Sequence, residues 1–215
     1  MSATPNDTLE ERWSDLHFDG MADLWKLSEE DCTKMKTLQA RIAEIDHWKN
    51  DPYEVIRYYK EYKGNLKETE KMFRYMVNYR LEHDFDNFLT NYGEPDPGFH
   101  NMPIAVLDGM DKDGDPIYLD RIGAADSWGL LKHFGIDAMT DYIIFIRELN
   151  NWRPFWKPYE DKVGHRVRNF TVIIDLQGLS SGHMRPGLLS LLQRTGRSGK
   201  SKMIVSNEVV DLIFL

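Results

Sequence analysis

Asn169 to Ser180 reads NFTVIIDLQGLS. Phe170, Thr171, Val172, Ile173, Ile174 and Leu176 make a short, nearly continuous apolar and β-branched run, which suits a central parallel strand buried on both faces better than an alternating edge strand. Gly178 breaks the run, residues 180–182 supply a turn, and Pro186 stands where a following helix would begin, a place where its fixed φ and missing N–H do no harm. The unit is strand, turn, helix. Asp175 falls near the carboxyl end of the strand, the edge at which ligand sites of open α/β sheets gather. A carboxylate capping nearby backbone N–H groups explains it more simply than catalysis does.

Composition narrows the function classes. With 215 residues the chain has room for one substantial core, or for a small helical lobe beside a second lobe. A net charge of -8 and a pI near 5.4 argue against a nucleic-acid binder, whose affinity rests on surplus Lys and Arg. Cys32 is the single cysteine, so no intramolecular disulfide and no cysteine-based zinc site can form, which fits a reducing compartment. The amino terminus, MSATPNDTLEERW, is polar and acidic, and no run approaches the length needed to span a bilayer. A soluble, cytoplasmic protein is expected. Histidines 17, 47, 83, 100, 133, 165 and 183 show no paired metal-ligand spacing, so no metal and no cofactor is expected.

Along the chain, Met1 to Gly20 lacks periodicity, and residues 1–27 read as a flexible segment. Ser28 and Asp31 form a capping pattern ahead of Met35, Leu38, Ile42 and Ile45, which predicts an amphipathic helix to about Lys49. Asp51-Pro52 caps a second helix running to Gly64, and Asn65 starts a third with Leu66, Phe73, Met76, Val77, Leu81, Phe85 and Phe88 on one broad face. Residues 28–92 are thus a helical lobe, and the turn-rich 93–103 (GEPDPGFHNMP) a connector. A second lobe, 104–215, opens with a hairpin: strand Ile104–Met110, turn Asp111–Gly114, strand Pro116–Ile122. Helical spacing follows over Asp137–Leu149, then an aromatic and basic connecting segment, WRPFWKPYEDKVGHRVR. Its Trp152, Phe155 and Trp156 suit packing between the lobes, with a membrane-interface anchor as the rarer use.

DKDGDPIYLDRIG (Asp111 to Gly123) followed by TVIIDLQGLS (Thr171 to Ser180) resembles the CRAL-TRIO lipid-binding domain family, and Val55 to Leu89 is similar to that family's amino-terminal helical lobe, with bases at Arg57, Lys60 and Lys63. The resemblance covers roughly Asp51 to Thr195. It implies an α/β fold in which a helical lobe precedes a mixed sheet with flanking helices. One face of that sheet would hold a phospholipid or other hydrophobic molecule, with no chemistry performed on it. Strand alternation and this likeness together assign Tyr118, Phe170, Val172 and Ile174 to the cavity. Phe170 and Val172 stand where phosphatidylinositol-binding members place hydroxyl residues, and Thr171 points to the opposite face, so the likeness does not carry head-group recognition to this chain.

Two motifs compete with this reading. Gly178-Leu179-Ser180-Ser181-Gly182 matches the nucleophile elbow G-x-S-x-G between a strand and a helix, but a hydrolase needs a later histidine and none follows His183. Residues 196–201 (GRSGKS) have the end of a P-loop, yet Arg194 stands where its first glycine belongs. Arg185, Arg194, Arg197, Lys200 and Lys202 form a basic stretch suited to transient docking on an anionic membrane, although a solvated surface is the commoner use.

The expected function is therefore binding, and transfer between membranes, of a lipid or similar ligand. A serine hydrolase using Ser180 and a non-binding interaction module are the alternatives. Residues 186–193 predict a crossover helix and Met203–Ser206 (MIVS) a returning strand. That would leave NEVVDLIFL as an apolar end without the family's closing helix, an incomplete carrier prone to self-association through Val209, Val210, Leu212, Ile213, Phe214 and Leu215.

Overall fold

The computed structural model describes residues 9–101, 106–121, 123–151, 153–167, 171–197 and 211–214. The chain divides into two compact units, Met1–Phe85 and Asp86–Leu215.

The first unit is helical. Helix α1 spans Leu9–Arg12, α2 Asp15–Trp25, α3 Glu29–Ile42, α4 Pro52–Glu61 and α5 Leu66–Glu82. The helices at residues 9–25 occupy a stretch that its missing periodicity assigns to a flexible segment. Burial of Trp13, Phe18 and Met21 provides the anchor, and Gly20 and the acidic residues between them hide the pattern. The expected caps form: Ser28 Oγ accepts from the Asp31 N–H, Asp51 from Tyr53 and Asn65 from Glu68. Met35, Leu38, Ile42, Val55, Ile56 and Phe73 are fully buried, each removal from water contributing about 1.5–3 kcal/mol.

Helix α3 stops at Ile42, short of Lys49, because Asn50 takes over its end. The Asn50 amide donates to the carbonyls of Ile42 and Ile45, while its Oδ1 accepts from the Trp13 indole. On α5 the position expected for Leu81 belongs to Arg80. Leu81 is 62% exposed, whereas Arg80 is 4% exposed with its guanidinium over the rings of Trp48 and Phe85.

The second unit begins before the expected connector. Helix α6 (Phe88–Tyr92) and the turn at Pro97–Asn101 pack on α7 (Ser127–Asn151), whose path breaks at Gly135. Phe99 stacks on Tyr142 at 4.4 Å and on Phe134 at 4.2 Å, and Tyr92 meets Phe145 at 5.1 Å. The segment WRPFWKPYEDKVGHRVR, read as a connection, contains helix α8 (Arg153–Val163); Pro154 and Pro158 conceal it. Its Trp156 packs against this unit's own sheet.

The sheet is mixed, in the order β1-β2-β3-β4, and with its surrounding helices makes an α/β fold. Strands β1 (Val106–Met110) and β2 (Pro116–Asp120) form the antiparallel hairpin, with Asp111 Oδ1 accepting from the N–H groups of Asp113 and Asp115 to hold the turn. Strand β3 (Thr171–Ile174) pairs parallel with β2 on one side and with β4 (Asp211–Phe214) on the other. It is central and parallel as read, but its four residues are half-buried instead of sealed on both faces. The fourth strand arises from the apolar end; Met203–Ser206, where a strand was expected, lies outside the described residues. Helix α9 (Pro186–Arg197) starts at the expected proline.

Candidate functional site

The parallel pairing of β2 and β3 aligns Tyr118 with Val172 and Asp120 with Ile174. Side chains two apart on a strand share a face, so these four residues line one side of the sheet. Three of the four expected cavity residues are thereby brought together. The fourth, Phe170, lies outside the described residues.

At the amino-terminal end of this face the packing is close. Tyr118 is 5% exposed, and its hydroxyl donates to Asn150 Oδ1 at 2.8 Å. The indole N–H of Trp156 donates to the Asn150 carbonyl at 2.7 Å, and the two rings meet edge to face. Phe155, Tyr159, Val167 and Val172 complete the cluster. Asn150, at the end of α7, and Trp156 were both missed: no local signal links a residue to a tyrosine more than thirty positions earlier, and prolines mask the helix of the other.

Toward the carboxyl edge the surroundings change. Ile174 is half-buried, and beside it Asp120 has an Oδ1 sealed from solvent with no hydrogen-bond partner among the described residues. Burial pushes its carboxyl up to about 6 from an ordinary 3.8. The Asp120 backbone carbonyl is satisfied by the Asp175 N–H, and Asp175 Oδ1 accepts from the Gln177 N–H, the capping role expected of it.

Of the five bases read as a docking stretch, two have described side chains, Arg185 and Arg194. Arg185 lies over the Trp128 ring, 4.6 Å from its centre, with Lys132 near the same ring at 5.3 Å. Arg194, on α9, pairs with Asp137. The Arg197 side chain, Lys200 and Lys202 lie outside what is described.

Ser180 does have a histidine within reach, contrary to the expectation of a missing base: its Oγ lies 3.2 Å from His183 Nδ1. The same nitrogen accepts the Ser180 backbone N–H at 3.1 Å, which makes the pair a cap on the turn Ser181–Met184. A shallow cleft of about 390 Å³ lies elsewhere in this unit, between Asp96, Asp126, Leu130, His133 and Phe134, and none of the expected cavity residues lines it. Among the described residues no helix is long and apolar enough to cross a membrane.

No family model matches the chain. Its sequence is similar to protein real-time of Drosophila melanogaster, 28% identical over 199 residues that cover 88% of this chain and 30% of that protein. Protein real-time of Aedes aegypti is 28% identical over 171 residues, 75% of this chain and 25% of that protein. A CRAL-TRIO domain-containing protein of Caenorhabditis elegans is 26% identical over 145 residues, 67% of this chain and 20% of that protein. The chain thus spans less than a third of the length of these curated relatives, and it is similar to a CRAL-TRIO domain-containing protein over two thirds of its own.

Proposed function

We propose that this chain binds a lipid or another small hydrophobic molecule against the Tyr118–Val172–Ile174 face of its sheet, and passes it between membranes without chemical change. The observation that carries the reading is the register of β2 and β3. Two segments that resemble CRAL-TRIO motifs, distant in sequence, meet as paired parallel strands with their apolar residues on a common face. Similarity to a CRAL-TRIO domain-containing protein supports it. Docking would be transient, at a cytoplasmic membrane surface, with Arg185 and Lys132 beside Trp128 as candidate contacts.

The experiment is lipid transfer from donor vesicles carrying a self-quenched pyrene phospholipid to unlabelled acceptors. Protein-dependent dequenching that falls when Ile174 is replaced by Trp, which would fill the face, supports the reading. A transfer rate equal to the protein-free control contradicts it.

A further inference from the structure

One polar group on the candidate face has no structural use. Tyr118 is tied to Asn150 and Glu160 Oε1 accepts from the Val167 N–H, whereas Asp120 Oδ1 is buried and, among the described residues, accepts from nothing. A buried carboxylate oxygen without a donor costs the full desolvation of that atom, and such a cost is usually met by a partner. Backbone geometry does not require the residue. Its main chain already bonds to Asp175, and strand position 120 would accept an apolar β-former at no conformational loss.

Its place in the fold is also specific. Asp120 is the last residue of β2 and Ile174 the last of β3, so the pair sits at the carboxyl edge of two parallel strands. Ligand sites of open α/β sheets collect at that edge. Along the same face, Tyr118 is closed over by Trp156 and Val167, Val172 and Ile174 remain half-buried, and the carboxyl stands at the end beside Ile174.

We propose that Asp120 is the polar anchor of the bound molecule, accepting a hydrogen bond from a donor head group, so that the ligand class is an apolar chain or ring ending in an alcohol or amine. This rests on the lipid-binding reading. An acceptor-only carboxylate satisfies a hydroxyl or an ammonium and repels a carboxylate or phosphate, so the site selects against anionic heads. Burial favours the neutral acid, and a donor arriving at Oδ1 reverses that preference by stabilising the charged form.

The test uses the full chain and pyrene-labelled alkyl chains of one length that end in a primary alcohol, a primary amine, a carboxylate or a methyl ester. Binding is followed by pyrene fluorescence in neutral buffer. The wild type should hold the alcohol and the amine about tenfold or more tighter than the ester, with the carboxylate weakest. Asp120→Leu should bring the alcohol and amine down to the ester's affinity and leave the ester unchanged. Asp120→Asn keeps the shape and an acceptor but no charge, so it should retain part of the alcohol preference and lose the discrimination of amine from carboxylate. Equal affinity for alcohol, amine and ester on the wild type overturns the anchor while leaving lipid binding intact. An amine-to-carboxylate ratio unchanged in Asp120→Asn does the same. Failure of all four probes to bind overturns both readings.

Discussion

Gly178 and Gly123 touch through their backbones: a Cβ added at Gly178 would lie 2.8 Å from the Gly123 carbonyl oxygen. From the other side, a Cβ at Gly123 would lie 2.3 Å from the Gln177 carbonyl oxygen and 2.6 Å from the Leu179 nitrogen. The two glycines belong to the two segments that resemble family motifs, one just after β2 and one just after β3. Their contact sets how closely the chain ends of these parallel strands approach, and so the shape of the carboxyl edge where Asp120 sits.

Gly178→Ala meets both a backbone clash and a positive φ of 87°, which together should cost about 2–3 kcal/mol. Gly20 is the internal comparison. It lies in α2 with nothing within 4 Å of an added Cβ, and Gly20→Ala should gain up to about 1 kcal/mol through helix propensity. Urea unfolding of the three proteins checks both signs.

The hairpin, the strand–turn–helix unit and the three helix caps are legible in the sequence because their signals are local: Asp-Gly turn chemistry, alternation, and a side-chain acceptor ahead of a helix. The neighbourhood of Tyr118 and Val172 is half legible. Alternation and likeness put them on one face, but Asn150 and Trp156, which pack that face, carry no signal within reach of the strands. Asp120 is a subtler omission. Alternation sets it on the Tyr118 side, yet nothing in the sequence says that one oxygen lacks a donor. Helix α8 is hidden by its two prolines, and β4 starts at Asp211, beyond the distance of the compact crossover that placed a strand at Met203–Ser206.

Asp120 also makes stability depend on pH. An acid whose folded pKa, about 6, exceeds its unfolded value of 3.8 binds protons more tightly when folded, so stability falls as pH rises between those values. Asp120→Asn removes that loss. With solvent screening allowed for, the variant should exceed the wild type by about 1–2 kcal/mol above about pH 7 and match it below about pH 4. Thermal melts across this range decide it, and an advantage that grows toward acid would have the wrong sign.

Asn50 holds the first unit together at a helix end. It is 1% exposed and serves the Ile42 and Ile45 carbonyls and the Trp13 indole at once. Asn50→Ala removes three side-chain hydrogen bonds from a buried helix end, while the Trp13 indole keeps the residue 50 carbonyl and the Ile42 and Ile45 carbonyls keep the N–H groups of Ile45 and His47, so the cost in denaturant unfolding should be about 1–3 kcal/mol.

Ser180 and His183 cap a turn, so Ser180→Ala should cost about 1 kcal/mol or less and leave any ester hydrolysis by the purified protein unchanged. Loss of a measured esterase activity in this variant would favour the hydrolase.

Any docking through Arg185 and Lys132 is electrostatic in part. Cosedimentation with anionic vesicles should weaken as salt shortens the Debye length from about 10 Å at 0.1 M to about 3 Å at 1 M, whereas binding to neutral vesicles should stay weak throughout.

Native mass spectrometry of the protein as purified bears most directly on ligand binding. The expected spectrum contains a population heavier than the bare chain by the mass of one small apolar molecule, released on collisional activation and absent from Ile174→Trp. A spectrum of bare chain alone, in a protein that melts cooperatively and after incubation with mixed lipid vesicles, would contradict the central claim.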